Sequence, residues 1–223
     1  YLTVYDVFPF KVTNLTIHLL NGLLVFFLAT ALLRQLSVFE RPEKPALLIA
    51  GVFLLHPLTL TSVLYIVQRM NSLSALFTLG GMLLYVKGRQ QTNQIKAISM
   101  MLAAIGIGTT LSALCKENGL LLPFYCLLIE IIFFRFKSRE QVQRWFLYGM
   151  YTLIVVIPLI YAGYKFLNHP GWIIGGYSGR PFTFSERVLT ETRVLWFYLR
   201  LIFVPDISLM GIFHDDIPLS TSL

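Results

Sequence analysis

Three clusters of polar residues interrupt apolar runs, where an unpartnered polar group is expensive. Lys116, Glu117 and Asn118 stand between LSALC and GLLLP. Gln68, Arg69 and Asn71 stand between SVLYIV and SLSAL. His56-Pro57 breaks a third run and is followed by Thr59, Thr61 and Ser62. A lysine in one turn and an arginine in another are the residue types that wall a site for an anionic substrate. The arginine fork matches phosphate in shape, and the lysine ammonium acts as a point charge. Arg180, Arg187 and Arg193 add cations further along, and Asp206, His214, Asp215 and Asp216 add acids and an imidazole.

Ordinary roles stand beside these. A solvated hairpin accounts for residues 116–118, and an interfacial arginine whose stem lies on apolar surface accounts for Arg69. At His56-Pro57, proline frees a backbone carbonyl and bends the helix, and the hydroxyls that follow can satisfy the freed group. The alternative is a break that opens a cavity. His214-Asp215-Asp216 has donor types that a hard cation takes, but a solvated loop is the expected reading. No metal site is assigned, and a need for a divalent metal stays open.

The remaining polar residues read as structural. His18 and Asn21 are expected to hydrogen-bond between helices. Glu130 is expected to pair with Arg135 or Arg34. Cys115 and Cys126 are expected to form neither a disulfide nor a metal site. The local motifs of P-loop ATPases, nucleophile-elbow hydrolases and HExxH metalloproteases are absent.

The elements that position these residues follow from composition. The chain has 223 residues, of which 56% are hydrophobic and 13% charged. Soluble proteins average about 45–50% and about 25%. Mean hydropathy is +0.70. A soluble fold cannot cover its surface with so few charges, a disordered chain is excluded for the same reason, and two cysteines do not staple a scaffold. The expected fold class is an all-α polytopic membrane protein. Six runs approach the ~20 residues of a transmembrane helix: 15–33, 46–66 with its break, 72–86, 97–114, 120–134 and 145–167. No cleaved signal peptide is expected at Tyr1.

Alternate connections carry ten Lys and Arg residues against three. Cations favour the cytoplasmic side in short loops, so Tyr1 is expected outside, with the turns holding Arg69 and Lys116. The net charge of +7 is then topogenic, and no nucleic-acid partner is expected. Residues 1–167 form the expected transmembrane region and 168–223 an extracytoplasmic one. The second region opens on a Gly/Pro-rich loop, then carries a helical pattern over 185–204, capped by Ser185 and ended by Pro205. Glu191, Arg193 and Arg200 make a seventh span costly, at roughly 2.5–3.5 kcal/mol per central charge. An interfacial or helix-packed placement is favoured.

Three segments resemble multispanning glycosyltransferases of the GT-C type. Val12–Gly22, VTNLTIHLLNG, is similar to their HlvNlllHllna helix. Leu55–Tyr85 is similar to their HP…EavayvsgRadlLa stretch, and Ala113–Glu130, ALCKENGLLLPFYCLLIE, to their lsKEqgitlPalll stretch. The tail from Thr192 resembles an extracytoplasmic region of the same group. Order and spacing together look like the transmembrane O-mannosyltransferases that act on cadherins and their bacterial relatives with tetratricopeptide tails. Thr61 and Asn71 stand where that group has acids, and Lys11 where it often has histidine. Asp6 falls at a non-catalytic turn. In the group an outer loop with paired aspartates precedes this region, so the chain is expected to be a fragment.

The resemblance implies transfer of a sugar from a polyprenyl-phosphate donor to a hydroxyl acceptor, a secreted or surface protein or a glycan. The reaction is expected on the extracytoplasmic face of a bacterial inner membrane or the endoplasmic reticulum. Arg69, Lys116, Arg180 and Arg193 are the expected contacts to the donor phosphate. Lys116 and Glu117 are the expected catalytic pair, with Glu117 orienting Lys116 or the acceptor. His56, Pro57 and Asn71 are expected to shape the cavity. Two other classes compete: a transporter or flippase for an anionic or lipid-linked substrate, and a non-catalytic subunit of a membrane complex. A second broken helix in a matching half would favour transport, and only one break is evident.

Overall fold

The computed structural model describes residues 8–138, 140–169, 171, 177, 179–206, 209 and 218–220. Asp6 and the His214–Asp216 run lie outside them. Every regular element among the described residues is helical. Helix α1 covers Phe8–Leu36, α2 Glu43–Leu55, α3 Leu60–Leu64, α4 Arg69–Arg89 and α5 Gln94–Ala103. Helix α6 covers Thr109–Cys115, α7 Leu122–Ile129, α8 Gln141–Asn168 and α9 Phe184–Phe203. The chain divides into two compact units, Tyr1–Tyr151 and Thr152–Leu223.

In the first unit α4 is the central element, packed on α1, α5, α6 and α7. Small residues bring these helices together. A Cβ on Gly22 would overlap Leu54 of α2, and one on Gly81 would overlap Leu122 of α7. Among the described residues, four helical stretches are long and apolar enough to cross a membrane: Phe8–Leu36, Gln94–Cys115, Glu117–Phe134 and Gln141–Asn168. The pair Glu43–Leu55 and Pro57–Leu64, bent by 53°, passes the same test when its two helices are taken together, as a broken span or a re-entrant loop. The expected run 72–86 falls inside α4, which is not among them. Its stripe of Ser72, Ser74, Gly81 and Gly88 is buried against protein rather than turned to lipid. In contrast, only 11% of the most apolar window of α8 is buried, as expected of a lipid-facing helix.

The bend has a local cause. His56 is extended, with φ −67° and ψ 129°, which is the conformation a residue before proline prefers. Pro57 has no N–H to give the Phe53 carbonyl one turn back. The Thr59 hydroxyl donates there instead, at 3.4 Å, and to the His56 carbonyl at 2.7 Å. The chain turns extended again at Tyr65. Asn14 of α1, fully buried, donates to the Val63 and Tyr65 carbonyls at this second turn. His18 Nε2 meets the Leu54 carbonyl at 3.1 Å, and Asn21 donates to the Ser72 carbonyl at 3.0 Å. Both are the interhelical bonds expected of them.

Glu130 does not pair with Arg135 or Arg34. Arg89, at the end of α4, donates to it through Nε at 2.7 Å and Nη2 at 2.9 Å. The Tyr85 hydroxyl donates at 2.7 Å and the Phe136 N–H at 3.1 Å. A buried carboxylate needs a charge partner and several donors at once, and the fork at the end of the neighbouring helix supplies them. Arg34 pairs instead with Glu43 across the α1–α2 turn.

The second unit is built on the remainder of α8 and on α9. Thr183, not Ser185, caps α9, with Glu186 completing a reciprocal capping box. The bonds from Thr183 hold the Glu186 carboxyl below the usual carboxylate range. Thr190 accepts from the Ser220 N–H, and Arg193 donates to the Pro218 carbonyl and the Ser220 hydroxyl.

Candidate functional site

The corner between α6 and α7 is made by one extended residue. Lys116 has φ −159° and ψ 146°, which stops α6 at Cys115. Its N–H still donates to the Ser112 carbonyl at 3.0 Å, and its carbonyl accepts from the Gly119 N–H at 2.9 Å. A tight 3₁₀ turn, Glu117–Leu121, leads into α7, whose Pro123 sits in the first turn where its missing N–H costs nothing. Gly119 is buried directly on the Ser112 backbone, and a Cβ there would overlap Ser112 and Ala113. Only glycine lets the corner close this far.

Beside the corner is a cavity of about 550 Å³. Lys116 and Asn118 line it from the corner, Tyr125 from α7, Phe53 from α2, and Asn71, Ser74, Ala75, Thr78, Leu79 and Met82 from α4. The α4 residues recur at helical spacing, so one face of one helix forms a whole wall. That wall changes along its length, from Asn71, Ser74 and Thr78 to Leu79 and Met82. Lys116 and Asn118 are at the corner. A cavity with cation and amides together and a continuing apolar stretch suits an amphiphile with a small charged head.

Of the residues expected to act together, Lys116 and Asn71 share this cavity. Glu117 is exposed, outside the lining, with no ion-pair partner among the described residues. His56 Nδ1 accepts from the Leu58 N–H at 3.2 Å, and Pro57 opens the turn after it; they bend the helix that carries Phe53. Arg69 is turned to α1, with Nε on Asn14 Oδ1 at 3.0 Å, Nη2 on the Phe10 carbonyl at 3.4 Å, and its guanidinium 5.3 Å from the Phe10 ring centre. Arg180 and Arg193 belong to the second unit. Arg180 stands over the Tyr177 and Phe182 rings, and Arg193 holds Pro218 and Ser220.

Sequence reasoning passes over three hydroxyls here. Ser112, fully buried, meets Ser74 Oγ at 2.9 Å, Thr78 Oγ1 at 2.8 Å and the Ser74 carbonyl at 2.8 Å. Ser74 and Thr78 are four apart, the one signal in the sequence that they share a face.

A second cavity, about 420 Å³, opens at the other end of α4, lined by residues that include Gln35, Arg89, Gln90, Lys137 and Gln143. Arg89 is already committed to Glu130 and to the Lys137 carbonyl. Helices α1 and α4 both end there, and helix C-termini disfavour an anion.

The family model for dolichyl-phosphate-mannose-protein mannosyltransferases matches residues 3–170. No curated protein and no solved structure matches the chain.

Proposed function

The chain belongs to the dolichyl-phosphate-mannose-protein mannosyltransferase family, and on that premise we propose that the Lys116 cavity receives the phosphate of a polyprenyl-phosphate mannose. An acceptor hydroxyl of a protein or glycan attacks the anomeric carbon. The new bond is from acceptor oxygen to that carbon. The bond from carbon to phosphate oxygen breaks, and its electron pair stays on the lipid phosphate. The acceptor proton passes to a base. The described lining holds no carboxylate, so this cavity is read as the leaving-group end of the site, with the base supplied from outside it.

The observation that carries the reading is Lys116 beside Asn71 and Asn118 in one cavity whose α4 wall becomes apolar. Charge grows on the leaving phosphate as its bond to the sugar breaks, and a fixed ammonium there lowers the barrier. Leu79 and Met82 offer the prenyl chain an apolar path. In the positive-inside reading this cavity faces the extracytoplasmic side, either lumenal or periplasmic.

The test is release of polyprenyl phosphate and formation of mannosylated acceptor in membranes carrying the full protein. Lys116→Ala should lower both together. Movement of the lipid-linked sugar across the membrane with no covalent product would favour the transporter reading instead.

A further inference from the structure

Helix α9 has two apolar faces. Val194, Phe197 and Leu201 share one, and Leu201 is buried there. Thr190, on the same face, accepts from the Ser220 N–H, so the 218–220 segment of the chain itself lies beside it. The other face carries Val188, Leu195, Trp196, Leu199 and Phe203, one stripe of a 3.6-residue helix. All five are exposed, Trp196 at 72% and Phe203 at 81%. Thr192 is the polar residue inside this stripe, and its hydroxyl donates to the Val188 carbonyl at 2.8 Å. Its proton is spent on the helix itself, which suits apolar surroundings.

The two borders of the stripe differ in charge. Arg193 and Arg200 stand three residues before and four after Trp196, so they flank it on the helix surface. Neither has an acid partner among the described residues. Arg193 donates to a carbonyl and a hydroxyl, both neutral. On the opposite border Arg187 pairs with Glu191 at 3.6 Å, so that side is neutralised.

We propose that this stripe docks on the surface of the bilayer. Helix α9 then lies in the membrane plane, with Trp196 at headgroup level and Arg193 and Arg200 on headgroup phosphates. Three observations favour lipid over a protein partner. Helix α8, in the same unit, turns an apolar surface outward and ends at Asn168, and only residues 169–183 separate it from α9. An exposed tryptophan between arginines is the composition of a membrane interface. Two unneutralised cations on one border complement phosphate. Crossing the membrane would instead carry Glu186, Arg187, Glu191, Arg193 and Arg200 into or past hydrocarbon. Docking of α9 does not depend on the sugar-transfer reading.

The experiment reconstitutes the full protein in vesicles of phosphatidylcholine and phosphatidylglycerol. Bromine is placed on the acyl chains, either near the headgroup or near the terminal methyl. The emission lost in Trp196→Phe reports Trp196. Headgroup-end bromine should quench that emission more than methyl-end bromine, as at the ~5–10 Å depth of an interfacial helix. Aqueous iodide should quench it little. Leu195→Glu combined with Leu199→Glu should lower lipid quenching and raise iodide quenching. Arg200→Gln should keep the depth but cut the preference for brominated phosphatidylglycerol over brominated phosphatidylcholine by up to about 5-fold. Strongest quenching by methyl-end bromine would mean a spanning helix and overturn the docking. Quenching by iodide alone would leave the stripe in water, and quenching by neither would put it under protein, a second copy included; either result overturns the docking. Lipid quenching unchanged by the paired glutamates would overturn it too. An unchanged headgroup preference in Arg200→Gln would overturn the role given to the arginines.

Discussion

Arg89 and Glu130 are 41 residues apart in sequence, yet Arg89 Nε lies 2.7 Å from Glu130 Oε2 with side-chain exposures of 2% and 0%. The pair fastens the end of α4 to the end of the α7 segment, and α4 carries the cavity wall at its other end. Removing one partner of a buried pair leaves the other charge uncompensated and costs about 3–5 kcal/mol. Glu130→Gln and Arg89→Met should each lower the thermal midpoint of the detergent-solubilised protein markedly. The double variant Arg89→Met with Glu130→Gln should recover much of the loss, because neither charge is then stranded and the glutamine carbonyl at position 130 still accepts from Tyr85 or Phe136. Additive losses in the double variant would contradict this account.

Gly119 sets the corner that presents Lys116. Gly119→Ala should displace the corner from Ser112 and lower transfer on the order of 100-fold, the scale of an ångström-sized misplacement in an active site. Gly51 is the control, since a Cβ added there would have nothing within 4 Å, and Gly51→Ala should transfer normally. Measuring initial rates of both variants at matched protein levels checks the contrast.

Asn14 bonds three partners at once, the Val63 and Tyr65 carbonyls and Arg69. Asn14→Ala strands these groups, each loss costing about 1–3 kcal/mol where the group is buried. The thermal midpoint should fall. Arg69→Ala should share that destabilisation, and at temperatures where the variant stays folded its inhibition by sugar-free polyprenyl phosphate should match the wild type. A selective loss of lipid-phosphate binding in Arg69→Ala would return Arg69 to the phosphate site.

The start of α9 should respond to acid. Bonds from Thr183 lower the Glu186 pKa, so the carboxylate is favoured when the cap is formed. Its contribution is present above the ordinary carboxylate pKa and is lost as pH falls through the lowered value. Chemical shifts of Thr183 and Glu186 should report fraying of the first turn only in that acid range, and Glu186→Gln should remove the transition.

Much of this architecture is legible in the residues themselves. Apolar runs and loop cations predict a polytopic helical chain, and His56-Pro57 predicts the bend, with Thr59, Thr61 and Ser62 as candidate hydroxyls to repair it, of which Thr59 reaches the Phe53 carbonyl. The turns that hold Lys116 and Asn71 are foreseeable on one side of the bundle from the alternation of loop charge, and both residues line one cavity. The partner of Glu130 is not foreseeable, since nearby arginines look equally eligible until α4 and α7 are packed. Arg69 shows the converse: its type suits phosphate, but its Nε and Nη2 are directed at Asn14 and the Phe10 carbonyl, contacts between helices that spacing does not encode. Ser112 is silent in the sequence because its contacts with Ser74 and Thr78 form only when α6 packs on α4. At α9 the error is local: Thr183 and Ser185 are both good caps, and the matching Glu186 three residues after Thr183 decides between them.

The most direct test is where a polyprenyl phosphate binds. A photoreactive polyprenyl phosphate, with its label in the first prenyl units, should be crosslinked to the full protein in membranes and the labelled peptides identified. Labelling is expected on α4 around Leu79 and Met82, competed by unlabelled polyprenyl phosphate and reduced by Lys116→Ala but not by Arg34→Ala. Labelling at the opposite end of α4 around Arg89 and Gln143, or labelling equally reduced by both substitutions, would contradict the placement of the phosphate at Lys116.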